Sequence, residues 1–112
     1  MSSQQWHALA DALLRLELGL RALGLWSDTR PAAERLNSPA PFCVDTLTFE
    51  QWLQWVFIPR LALLINQQGR LPAACNIMPM AQEALAPLGR RGQPLLGTVA
   101  EVDRLASLLV HR

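Results

Sequence analysis

The sequence predicts an all-α bundle of four to five helices, on three observations. Strict polar/apolar alternation is absent and β-branched residues are few, so no strand pattern emerges. Leu, Ala, Gln, Glu and Arg fill the stretches between Pro and Gly punctuation, which favours helices. Apolar residues recur at three- and four-residue spacing near both ends of the chain. With 112 residues there is room for one domain, 1–112.

The first helix is expected from Ser3 to Leu23, ending near Gly24. Trp6, Leu9, Leu13, Leu16, Leu20 and Leu23 fall on one stripe, like the seam of a bundle. Asp11 with Arg15, and Glu17 with Arg21, have the spacing of favourable ion pairs. Leu14, Leu18 and Leu25 form a second row on the opposite side. Either the following segment or a partner chain must cover it. Residues 26–47 form a long connection, with Pro31 suited to the first turn of a short helix through Leu36.

The second long helix, 48–68, is expected at the centre. Thr48 with Gln51 matches a capping box and Glu50 sits in the first turn. From Phe49 to Leu61 the apolar side chains surround the helix, which suits a buried element or one that offers a face to a partner. Pro59 removes a backbone donor and should kink or restart the helix, which then ends at Gly69. Pro79 opens a short helix ending near Leu88-Gly89, and Arg90-Arg91-Gly92 is an exposed turn. A last helix spans Pro94 to Val110 with Leu95, Val99, Val102, Leu105, Ala106 and Leu109 as its stripe. Thr98 with Glu101 offers a second capping box there, so its start is open by one turn.

Composition excludes several classes. The chain is 51% hydrophobic and 17% charged, which argues against disorder. A formal net charge of +1 carries no field that would draw nucleic acid or an anionic membrane. All basic residues are Arg, scattered apart from Arg90-Arg91. No apolar run is long enough to span a bilayer and no signal peptide is evident, so the expectation is a cytoplasmic protein with no membrane partner.

Chemistry-bearing constellations are few. His7, His111, Cys43 and Cys75 lack the spacing of metal ligands, so no metal is expected. Cys43 and Cys75 sit among apolar residues and read as buried and structural. With no carboxylate pair and no phosphate loop, no catalytic residue, cofactor or enzymatic activity is expected. Arg60 projects among Phe49, Leu53, Val56 and Leu64. It either pairs with Asp45 or snorkels to solvent past Pro59. Gln54 is either exposed or satisfies backbone groups of the long connection. Trp52 and Trp55, about 60° apart on the helix, favour core packing over base stacking, with Trp55 also a candidate interface anchor.

The motifs Pro41-Phe42, Asp45-Thr46-Leu47, Phe49, Trp52-Leu53-Gln54, Val56-Phe57-Ile58-Pro59-Arg60, Leu71-Pro72 and Ile77-Met78-Pro79-Met80-Ala81 resemble the signature of the YqcC-like family. The resemblance is most specific over 41–60 and extends more weakly over nearly the whole chain. It implies a compact all-helical fold, and Glu83 stands where the family has an acidic position. Family genes often lie beside that of tRNA pseudouridine synthase C, which implies an accessory role in tRNA modification. Asp45, Trp52, Gln54, Arg60 and Pro72 then form a polar and structural keystone, and Trp55, Ile58, Leu14 and Leu18 a surface for a protein partner. Two alternatives stand beside this. One is a tRNA-binding module using Arg60, Arg70, Arg90 and Arg91. The other is a homodimer through the Leu14–Leu18 row.

Overall fold

A computed structural model describes residues 2–40, 43, 45–71 and 75–109. Helix α1 (Ser3–Ala22) is opened by a capping box in which Ser2 and Gln5 exchange side-chain and backbone hydrogen bonds. It closes on Gly24 at φ +73°, the left-handed region that glycine enters at no steric cost. There the Gly24 N–H bonds to Arg21 O and the Leu25 N–H to Leu20 O, which satisfies carbonyls the last turn leaves over. Leu9, Leu13, Leu16 and Leu20 are buried, while Trp6 and Leu23 at the ends of the stripe are half-buried.

The last helix, α6 (Gln93–Ala106), lies along α1 in the most extensive helix pairing of the fold. Every member of its predicted stripe is buried, including Leu109 in the short 3₁₀ turn Ser107–Leu109. The Leu95 side chain packs onto α1 at Gly19, where an added Cβ would stand 2.9 Å from Leu95 Cδ1. The helix starts at Gln93. Thr98 therefore lies inside it and donates to Pro94 O rather than capping, so the second capping box does not form. Val110, the expected end of that helix, and His111 lie outside the described residues.

Between these helices, α2 (Ala33–Leu36) is a single turn that begins two residues after Pro31. The capping box of Thr48 and Gln51 starts α3 (Phe49–Trp52) as expected. The helix then widens to a π turn over Leu53–Phe57 and resumes as α4 (Ile58–Gln67). The Ile58 N–H reaches back to Leu53 O, five residues away. Pro59 supplies the reason. Its ring would clash with the carbonyl four residues earlier, and a widened turn moves that carbonyl aside. The proline thus restarts the helix without breaking it.

Only the first half of the 48–68 segment is interior. Phe49, Trp52, Leu53, Gln54, Phe57 and Leu61 are buried, but Pro59, Arg60, Ala62, Leu63, Asn66 and Gln67 face solvent. The expected central helix is therefore central up to the proline and peripheral beyond it. The heart of the bundle is the α1–α6 pair, because both keep an unbroken apolar stripe while α4 turns amphipathic. Helix α5 (Met78–Leu85) and the 3₁₀ stretch Ala86–Gly92 close the fold, with Leu71 N bonded to Leu109 O at 3.2 Å.

Candidate functional site

The π turn and the long connection meet at one buried polar junction. Gln54 is 6% exposed, and its Oε1 accepts from Ser27 N at 2.9 Å while its Nε2 donates to Ser27 O at 2.6 Å. Of the two readings the sequence left open, the junction selects backbone satisfaction. It fixes the strand of connection that carries Trp26 and Arg30. Further along, Arg35 and Thr46 tie the same connection across its own loop. Arg35 Nε donates to Thr46 O at 2.8 Å, and Thr46 Oγ1 donates to Arg35 O at 2.6 Å.

Two guanidinium–indole stacks flank the junction. Arg30 lies 5.6 Å from the ring centre of Trp55, and Arg21 lies 4.9 Å from that of Trp26. Both tryptophans are half-buried. Trp52 behaves differently: it is buried, tilted against Phe57 at 5.1 Å and stacked with Phe49. Core packing, favoured for both tryptophans from the sequence, describes Trp52, whereas half-buried Trp55 carries Arg30 over its ring. Arg30 is remote in sequence and arrives through the Ser27–Gln54 tie. The buried Nε1 of Trp55 has no hydrogen-bond partner among the described residues.

The predicted partner residues converge in part. Leu14 and Ile58 line one groove between α1 and α4, with Ala10, Leu13, Glu17, Ala62, Ile65 and Asn66. Its volume is about 240 Å³, small for a cofactor site but suited to anchoring side chains. Leu14 and Leu18 are 55% and 54% exposed, so the following segment does not cover their row. Leu18 lies on the far side of that ridge, in an α1–α6 groove with Arg15 and Arg91. Trp55 lines neither groove.

Of the two readings open for Arg60, the structure selects the solvent-facing one over a pair with Asp45. Arg60 is exposed and makes no ion pair among the described residues. Asp45 is exposed and accepts from the Ser38 hydroxyl instead. Pro72, like Pro41 and Phe42, lies outside the described residues. Asp11 and Arg15 do not pair. The ion pairs among the described residues are Glu17–Arg21 and Glu101–Arg104, each at 2.9 Å. Arg60, Arg70, Arg90 and Arg91 are exposed, with no hydrogen bond among the described residues. The two thiols are unpaired.

Sequence reasoning missed Asp103. Its Oδ1 accepts from Cys75 Sγ at 3.1 Å and from Ile77 N at 2.9 Å, and its Oδ2 from Met78 N at 2.9 Å. One carboxylate on α6 thus caps the start of α5. Cys75 donates within this cluster and is half-buried rather than fully buried. Burial first, then the carboxylate, push its thiol up to about 12. No signal in the sequence links a residue of the last helix to a cap at residue 77.

Among the described residues no group of three His, Cys, Asp or Glu side chains could hold a metal, and no helix is long and apolar enough to cross a membrane.

This architecture defines a class: a small helical bundle with an externally tied connection and an uncovered apolar ridge. A family model described as "tRNA pseudouridine synthase C" matches residues 8–105. An uncharacterised protein of Haemophilus influenzae is 40% identical over 88 residues, covering 79% of this chain and 83% of its own length. The solution NMR structure of YqcC from Escherichia coli superposes with a TM-score of 0.81 at 30% identity, covering 96% of this chain and 92% of the other. The chain belongs to the YqcC-like family. A third similarity is of another kind. A protein of Pectobacterium carotovorum named tRNA pseudouridine synthase C is 41% identical over 66 residues, which are 59% of this chain but only 18% of that protein.

Proposed function

We propose that the chain is a non-catalytic accessory protein of the cytoplasm that binds a tRNA pseudouridine synthase. The observation that carries this reading is the Pectobacterium protein, in which a segment resembling this chain occupies 18% of a polypeptide named as the synthase. Covalent linkage raises effective concentration to the millimolar range, which serves two domains that work side by side. The groove between α1 and α4 supports it physically. Leu14 and Ile58 present apolar surface that the bundle itself leaves uncovered, in a domain too small to forgo such burial.

Calorimetric titration of the chain with a purified tRNA pseudouridine synthase C tests this. The expected result is a complex at micromolar concentration that Leu14→Gln and Ile58→Gln each weaken at least tenfold. Absence of a complex overturns the reading. Light scattering on the chain alone distinguishes the homodimer alternative, in which the Leu14–Leu18 row is covered by a second copy.

A further inference from the structure

We propose that Arg30 on Trp55 and Arg21 on Trp26, held either side of the Ser27–Gln54 junction, form a binding site for the unpaired loop of an RNA. The site goes beyond the synthase-binding surface, shares no residue with the α1–α4 groove, and stands or falls independently of it.

An exposed guanidinium held over an indole by the ring's quadrupole keeps an outer side turned to solvent. That outer side is a platform for a nucleobase, and the N–H groups are a fork for a phosphate. Arg30 makes no ion pair among the described residues. Arg21 gives only its Nε to Glu17, and its Nη groups make no hydrogen bond among the described residues. Both arginines are exposed. Each therefore offers N–H donors that the fold does not use.

The spacing is preorganised. Trp26 adjoins Ser27 and Trp55 adjoins Gln54, so the two hydrogen bonds of the junction hold both stacks in one region of the surface. The π turn that carries Trp55 is a conformation found often at functional sites. A paired stem presents its bases edge-on within a narrow groove, whereas a loop can splay a base onto a flat platform. The chemistry thus favours unpaired RNA over a duplex. It also favours RNA over an acidic peptide, because a carboxylate would use the forks and leave both platforms empty.

Fluorescence anisotropy with a labelled RNA hairpin carrying an unpaired loop tests the site on the chain alone. A blunt duplex of the same stem is the comparison, and tryptophan emission is followed in parallel. The hairpin is expected to bind, to quench tryptophan emission, and to bind at least tenfold tighter than the duplex. Arg30→Ala is expected to lose roughly tenfold in affinity, the scale of one lost stacking platform. Arg30→Lys is expected not to restore it, since an ammonium supplies charge without a plane. Arg90→Ala and Arg91→Ala are expected to leave binding within twofold. Circular dichroism of each variant confirms that the helices persist. Failure of the hairpin to bind overturns the proposal. So does equal binding of the duplex, or equal loss from Arg90→Ala. If RNA does not bind but Arg30→Ala weakens the synthase complex, the surface belongs to the protein partner and the RNA site is refuted.

Discussion

Gln54 grips Ser27 from both sides, accepting from its N–H at 2.9 Å and donating to its carbonyl at 2.6 Å across twenty-seven positions of chain. A primary amide is suited to this role because it carries one acceptor and one donor on a single planar group. The bond pair is partly buried, so losing the buried Gln54 amide leaves the Ser27 backbone groups with less access to water than in the unfolded chain. It also decides where Trp26 and Arg30 stand.

Gln54→Leu is expected to destabilise the fold by about 1–3 kcal/mol through the orphaned Ser27 groups. Gln54→Glu is expected to cost more at neutral pH, since a buried carboxylate cannot donate to Ser27 O and repels it. Burial raises that carboxyl's pKa in the folded state above its unfolded value of about 4.3. The variant is then most stable below the unfolded value and loses stability as pH rises through the folded one. Urea denaturation across acidic and neutral pH reads both. A Gln54→Glu variant whose stability rises with pH would contradict the account.

Asp103 is expected to matter more than its half-exposed position suggests. Asp103→Ala removes the cap of α5 and is expected to cost about 2 kcal/mol, with earliest loss of amide protection in 77–81 by hydrogen exchange. Asp103→Asn also removes a negative charge beside Cys75, whose thiol is pushed up to about 12. Alkylation of Cys75 at mildly alkaline pH is therefore expected to be slow in the parent and faster in Asp103→Asn. Equal rates would mean that burial alone holds the thiol up.

The outward leucines separate surface from core. Leu14→Gln and Leu18→Gln are expected to shift stability by no more than about 0.5 kcal/mol. Leu16→Ala, on the buried face of the same helix, is expected to cost about 2–5 kcal/mol. Thermal unfolding of the three variants makes the comparison. A large loss from Leu14→Gln would show that its exposure is not what the bundle requires.

Two glycines give opposite signs. Gly24 has open space around it but φ +73°, so Gly24→Ala is expected to destabilise by about 1 kcal/mol. Gly97 also has open space and lies within α6, so Gly97→Ala is expected to stabilise by about 0.5–1 kcal/mol. Denaturant midpoints of the pair test whether conformation or space governs each site.

The legible parts of this fold are those written in neighbouring residues. Thr48 and Gln51 cap α3 because they stand three apart, Gly24 ends α1 because only its backbone enters that turn cheaply, and the α6 stripe is buried because its members share a face. The same local rules misled at Thr98, where the box pattern fell inside a helix already begun. They misled also at Asp11 and Arg15, whose spacing permits a pair that does not form, since an exposed ion pair returns too little energy to be obligatory.

The one-dimensional chain thus determined helix content, most helix ends and which residues of α1 and α6 avoid water, because each depends on spacing along a few turns. Tertiary structure alone decided that Gln54 would hold Ser27, that Arg30 would cover Trp55, and that Asp103 would cap residues 77 and 78. Those contacts join positions some 25 or more apart. Closing such loops yields no free energy until the packed helices bring the ends together, so no local pattern in the sequence can announce them.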